Sequence, residues 1–110
     1  MHVTIGILAY NESEMIGRTI GSLFQQSVFN GRDTTLRDVQ WEIVVVPNGC
    51  NDDTHQLAEQ ALQAACAASA NAAVSYRVVS LERAGKSHAW NKLIHEIAAP
   101  HTDAFVMVDA

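Results

Sequence analysis

The chain has 110 residues, 48% of them apolar, and a formal net charge of −5. That is room for one domain with a modest core, and the acidic balance excludes a basic nucleic-acid groove. No apolar run approaches the roughly 20 residues that a membrane span needs.

His2–Ala9 alternates Val3, Ile5 and Ile7 and is rich in β-branched residues, so it reads as a strand. Over Ala9–Gln26 the period changes: Ile16, Ile20, Leu23 and Phe24 share one helical face. Asn11 followed by Glu14 has the form of a capping box and predicts a helix start there. Ser27–Gln40 has no clear period and reads as a surface loop. Glu42–Val46 is apolar on both faces, the pattern of a parallel strand covered on both sides, and Pro47-Asn48-Gly49 ends it. Asp52–Asn71 predicts an Ala-rich helix with Asp52 as its N-cap. Val74–Leu81 reads as a third strand. Trp90, Leu93, Ile94 and Ile97 repeat with helical spacing after Gly85, and Ala104–Val108 is a fourth strand. The order βαβαβαβ predicts an α/β fold: a Rossmann-like three-layer sandwich with a parallel sheet and right-handed crossovers.

The polar residues cluster after the strands. Tyr10-Asn11-Glu12 follow the first, Asn48-Gly49 and Asn51-Asp52-Asp53 the second, Glu82-Arg83 and Gly85-Lys86 the third, and Asp109 the fourth. All fall at carboxyl ends, where open α/β sheets bind ligands and helix N-termini present free N–H groups to phosphate. A phosphorylated ligand is therefore expected. The glycines form neither a dinucleotide fingerprint nor a P-loop: Gly85-Lys86-Ser87 has the end of a P-loop without its upstream glycine. His88 and His95 lack an evident third zinc ligand, and Cys50 lacks an evident base for nucleophilic catalysis.

In order, Leu8-Ala9-Tyr10-Asn11-Glu12, Pro47 to Thr54, Gly85-Lys86-Ser87-His88-Ala89-Trp90-Asn91 and Asp109-Ala110 resemble the N-terminal half of family 2 glycosyltransferases. These are inverting, nucleotide-sugar-dependent enzymes of the GT-A fold. Their corresponding motifs are P-A-Y-N-E, D-D-G-S-x-D-x-T, G-K-x-x-A-x-N and the metal motif D-A-D. The resemblance covers nearly the whole chain, which reads as a single unit, 1–110, that stops inside the metal motif. It implies a nucleotide site formed by Ala9, Tyr10, Glu12, Asn48, Lys86 and Asp109. Tyr10 would pack on the base, the Asn48 amide would face the base edge, and Lys86 would lie near the base or diphosphate. Asp109 would contact the ribose or a divalent cation, Mg²⁺ or Mn²⁺, whose preference for oxygen ligands suits carboxylate and phosphate. The implied partners are a nucleotide-diphosphate sugar, UDP-linked, and an unknown acceptor. The catalytic base would lie outside this chain, which alone would only bind nucleotide. Leu8, Pro47 and Asn48 depart from the family pattern, so substrate identity does not carry over.

Simpler roles stand beside these. Asn48-Gly49 also suits a plain turn, Asp52 and Asn11 suit helix caps, Lys86 suits a solvated surface, and Trp90 suits the core. A non-catalytic nucleotide-binding or interaction module is the alternative function. A related nucleotidyltransferase would open with a Gly-rich basic loop after the first strand, and this chain has none there. Without a signal peptide the two cysteines are expected to be reduced. That suits the cytoplasm, or the cytoplasmic face of a membrane if a parent protein is anchored. The fourth strand is expected to expose apolar surface from Phe105 to Val108 and to favour dimerisation or aggregation.

Overall fold

The computed structural model describes residues 1–26, 38–49, 52–69 and 73–109, with the backbone alone for Asp109. The predicted Ser27–Gln40 loop lies mostly outside the described residues, as do Cys50 and Asn51. Four strands, β1 (His2–Ala9), β2 (Gln40–Pro47), β3 (Val74–Val78) and β4 (Ala104–Asp109), form one all-parallel sheet in the order β3-β2-β1-β4. Between them lie α1 (Ile16–Phe24), α2 (Thr54–Ala68) and α3 (Lys86–Lys92), the last running on as a π-helical segment over Leu93–Ile97.

The strand order dictates the layers. From β1 through β2 to β3 the chain steps in one direction, so right-handed crossovers put α1 and α2 on the same face. From β3 it returns past β2 and β1 to β4, so α3 lies on the opposite face. The strand sequences match this with period 2. Ile5, Ile7, Ile43 and Val45 pack with Ile16, Ile20, Ala58 and Leu62 of α1 and α2. Leu8, Val44 and Val46 pack with Ala89 and Leu93 on the other face. A Cβ at Gly6 would collide with the Leu93 side chain, so this glycine lets the third helical layer settle directly on β1.

Three element boundaries depart from expectation. Asn11 has φ +49°, in the left-handed region, and α1 starts only at Ile16 after Met15, which makes no side-chain cap. The capping box is therefore not formed; instead the Glu12 carbonyl accepts the Met15 and Ile16 N–H groups at 3.0 and 2.8 Å. Strand β3 ends at Val78, and Leu81 keeps only an isolated bridge to Asn48. The last helix is not uniform, its Ala98 N–H reaching back five residues to the Leu93 carbonyl at 2.8 Å.

Beyond that helix the chain is fastened at the amino end of the sheet. Glu42, 5% exposed, takes Arg77 at 2.6 Å, the Ala99 N–H at 3.1 Å, Thr4 Oγ1 at 3.2 Å and His2 Nε2 at 3.3 Å. Arg77 also donates to the Ile97 carbonyl, the last of the π-helical segment. Burial pushes the Glu42 carboxyl up. The bonds from Arg77, Ala99 and His2, with the Arg77 charge, outweigh burial and hold it below the ordinary glutamate value.

Strand β4 is the least covered: Phe105, Val106 and Met107 are 37, 45 and 44% exposed as expected, while Val108 is half-buried against the core.

Candidate functional site

At the carboxyl ends of the strands lies a cleft of about 550 Å³. Leu8 enters it from β1, Tyr10 and Glu12 from the following turn, Asn48 from the end of β2, and Ala84, Gly85 and Lys86 from the loop into α3. Four of the six residues implicated by sequence therefore line one concavity. Ala9 does not line it but is buried at the end of β1, and the sheet register sets Asp109 opposite Leu8.

Asn48 is the brace of the cleft. It is 4% exposed, and its amide nitrogen donates to the carbonyls of Ala9 at 2.8 Å and Val46 at 3.4 Å. Its side-chain oxygen accepts the Gly85 N–H at 3.1 Å, and its own backbone N–H donates to the Ala9 carbonyl at 2.8 Å. Both amide N–H groups are thus engaged within the chain, and the side chain ties together the ends of β1 and β2 and the start of α3. A carboxylate could not copy this, because it would set oxygen against the two carbonyls. Ala9 contributes its carbonyl, while its side chain is buried in the core.

Gly49 completes the brace. Its φ is +65°, and a Cβ there would lie 2.6 Å from that of Ala84, so only glycine allows the two loops this close. The Gly49 N–H donates to the Leu81 carbonyl at 2.7 Å, and the Leu81 N–H donates to the Pro47 carbonyl at 2.8 Å.

The Tyr10–Glu12 turn is held from the other side. Buried Thr54, the first residue of α2, accepts the Glu12 N–H at 3.0 Å. Its hydroxyl donates to Asp52 Oδ1 at 2.5 Å, and its N–H reaches the same oxygen at 3.1 Å. Asp52 Oδ2 accepts the Ser13 N–H at 3.4 Å. The Thr54 hydroxyl foremost, against some desolvation, and then the Thr54 and Ser13 contacts hold the Asp52 carboxyl below its ordinary value. The N-cap position of α2 falls on Asp53, which makes no side-chain cap, and not on Asp52 as expected; one residue earlier, Asp52 turns its carboxylate onto Thr54 two residues on and ties two loops together.

Tyr10 is 54% exposed, Lys86 is exposed and Glu12 is half-buried, so an aromatic face, an ammonium and a carboxylate all border the cleft. Such a set can stack on a flat ring and counter an anionic group. Among the described residues no three His, Cys, Asp or Glu side chains are grouped to hold a metal. Glu12 on the cleft wall is a carboxylate of the kind a Mg²⁺-type ion takes, one or two at a time, with water and substrate phosphates completing its shell, and the register brings the Asp109 backbone to the same edge of the sheet.

Leu8, Ala84 and Gly85 line the cleft, and Thr54 orients its turn, without having been picked out as site residues. The Asp-x-Thr spacing of Asp52 and Thr54 was the available signal for one, and the glycine preceding Lys86 for another. Nothing in the sequence marks Ala84, whose place follows from its contact with Gly49.

The family model described as Glycosyl transferase family 2 matches residues 4–110. Searches of curated proteins and of solved structures returned no match.

Proposed function

This chain belongs to glycosyl transferase family 2, and from that premise we propose that its cleft holds the nucleotide of a nucleotide-diphosphate sugar, UDP-linked, whose sugar passes to an acceptor. The observation that carries this reading is the convergence of Tyr10, Glu12, Asn48 and Lys86 on one cleft at the carboxyl edge of a parallel sheet. Tyr10 offers its exposed ring to the base. Lys86 supplies positive charge to the diphosphate. Asn48 keeps the two walls at a fixed separation and so sets the width of the slot into which the base fits.

Asp109 would hold a divalent cation, Mg²⁺ or Mn²⁺, with the Glu12 carboxylate of the cleft wall as a further candidate. When bound, that ion supplies charge stabilisation to the diphosphate leaving group. The acceptor hydroxyl and the carboxylate that deprotonates it belong, in this reading, outside these 110 residues. The chain alone then binds nucleotide without transferring a sugar. Among the described residues no helix is long and apolar enough to cross a membrane. The reading places the domain in the cytoplasm or at the cytoplasmic face of a membrane.

The test is a ¹H–¹⁵N spectrum titrated with UDP and Mg²⁺. Shifts confined to Tyr10, Glu12, Asn48, Gly85–Lys86 and Asp109 are expected. A dispersed spectrum indifferent to UDP would overturn the nucleotide assignment. The exposure of Phe105, Val106 and Met107 favours a second reading, an interaction module that self-associates through β4. Concentration-dependent sedimentation without any nucleotide response would support that reading instead.

A further inference from the structure

Strand register is normally fixed by burial, because a slip of one residue turns every side chain to the opposite face. In β1 this constraint is strong: Val3 to Ala9 are all buried. In β4 it is weak, since its three central side chains are each more than a third exposed. Yet the register of β4 decides which residue stands opposite Leu8 at the cleft. In the observed register it is Asp109. Packing supplies only part of the selection, from half-buried Val108 against the core and from the Phe105 ring edge-on to Trp90 at 6.4 Å.

The rest of the selection lies at the other end of the strand. Just before β4, the Asp103 N–H donates to the His2 carbonyl at 2.8 Å, and the Asp103 carboxylate accepts the His2 N–H at 2.8 Å. This is a reciprocal clasp on the first residue of β1. One residue earlier, Thr102 Oγ1 accepts from the hydroxyl of the fully buried Thr4 at 2.8 Å, in alternation with the longer Thr4 contact to Glu42, and donates its own proton to the Ala99 carbonyl at 2.7 Å. Ala99 in turn is held by Glu42, the acceptor of its N–H. Three consecutive anchors therefore fix residues 99, 102 and 103 against β1 and β2 before the strand begins. A one-residue slip would break all three, while the exposed side chains of β4 would resist it little.

We propose that Thr102 and Asp103 are positioning residues that lock the register of β4 from its amino end, and that they thereby place Asp109 at the cleft, about 20 Å away at ~3.3 Å per residue. The proposal rests on the role given to Asp109 under Proposed function. The lock itself is observable without nucleotide or metal.

The experiment uses the double variant Thr102→Val/Asp103→Ala of the same chain. Amides of β1, β2 and β3 should keep their protection from hydrogen exchange. Amides of Phe105 to Val108 should lose at least tenfold in protection or split into two sets of peaks, one per register. UDP should still bind without metal, while the gain in UDP affinity on adding Mg²⁺ should fall at least fivefold. Restoring an acceptor with Thr102→Val/Asp103→Asn should recover a single set of β4 peaks in part. A single, fully protected set of β4 amides in the first variant would overturn the lock, and so would unchanged Mg²⁺ dependence alongside altered β4 amides. Should the double variant fail to fold, Thr102→Val alone applies the same readouts under a milder change. If the unaltered chain shows no Mg²⁺-dependent UDP binding, the assignment of Asp109 to a metal fails, and β4 exchange still decides the lock.

Discussion

The two ends of the sheet use polar residues in opposite ways. At the amino end Glu42, Arg77, Thr4, Thr102, Asp103 and His2 are turned on one another and on nearby backbone groups. At the carboxyl end the hidden polar groups, Asn48 and Thr54, are likewise satisfied, but they brace loops that leave Tyr10, Glu12 and Lys86 bordering open space. A polar cluster turned inward on itself builds structure, even though His2 Nδ1 is buried there without a hydrogen-bond partner. A braced rim whose functional groups face solvent is built to meet something else. Burial, more than residue type, separates the two, since both ends carry carboxylates and cations.

The difference is sharpest if each end is broken in turn. Glu42→Ala removes a buried carboxylate with four partners and leaves the Ala99 N–H without one. The expected loss is about 3 kcal/mol, the low end for breaking a buried pair, because the Arg77 side chain is 49% exposed and regains water. Urea unfolding measures it, and nucleotide affinity per folded molecule should change far less than stability. Asn48→Ala should cost about 2 kcal/mol, chiefly by leaving the Gly85 N–H without its acceptor; the Ala9 carbonyl keeps the Asn48 backbone N–H. In contrast to Glu42→Ala, it should also lower UDP affinity by freeing Gly85 from β2. If both variants change affinity alike, the division of labour between the ends is wrong.

Much of this was legible from one sequence. The strand–helix alternation, the parallel sheet and the two apolar faces of β2 follow from periodicity, which reports burial directly. The gathering of Tyr10, Glu12, Asn48 and Lys86 was also foreseeable, because topology sends every strand's carboxyl end to the same edge. What Asn48 does there was not. Its engagement depends on Ala9 and Gly85, each nearly forty positions away, and no local pattern encodes such a contact. The failed Asn11–Glu14 capping box has the same origin. The Glu12 N–H is taken by Thr54 from another helix, and the turn is shaped to suit that tie. The amino-end cluster was not anticipated either, because His2, Glu42 and Arg77 each look like ordinary strand residues until the sheet sets them side by side.

On the open rim the expected effects are smaller and appear in binding alone. Lys86→Ala should weaken UDP about tenfold, equivalent to ~1.4 kcal/mol, and shift the urea midpoint negligibly, since Lys86 is exposed. Isothermal titration beside unfolding distinguishes the outcomes. A loss of stability as large as the loss of affinity would place Lys86 among the braces.

The smallest effect is the pH dependence of the amino end, and its sign is fixed. Glu42 titrates below its ordinary value of 4.5 in the folded chain. Near and below that value the unfolded chain therefore binds more protons than the folded one, so stability falls with acid. The contribution is complete above the unfolded-state value and disappears as pH falls through the lower, folded one. Asp52 at the opposite end is shifted the same way, so the total acid loss cannot separate the two ends. The comparison with Glu42→Gln can. That variant keeps the shape without the charge, and should lose less stability between pH 6 and the acid limb than the unaltered chain. Parallel profiles would mean that the carboxylate network at the amino end adds nothing that a neutral amide does not, and that β4 and the last helix are held there by shape and backbone bonds alone.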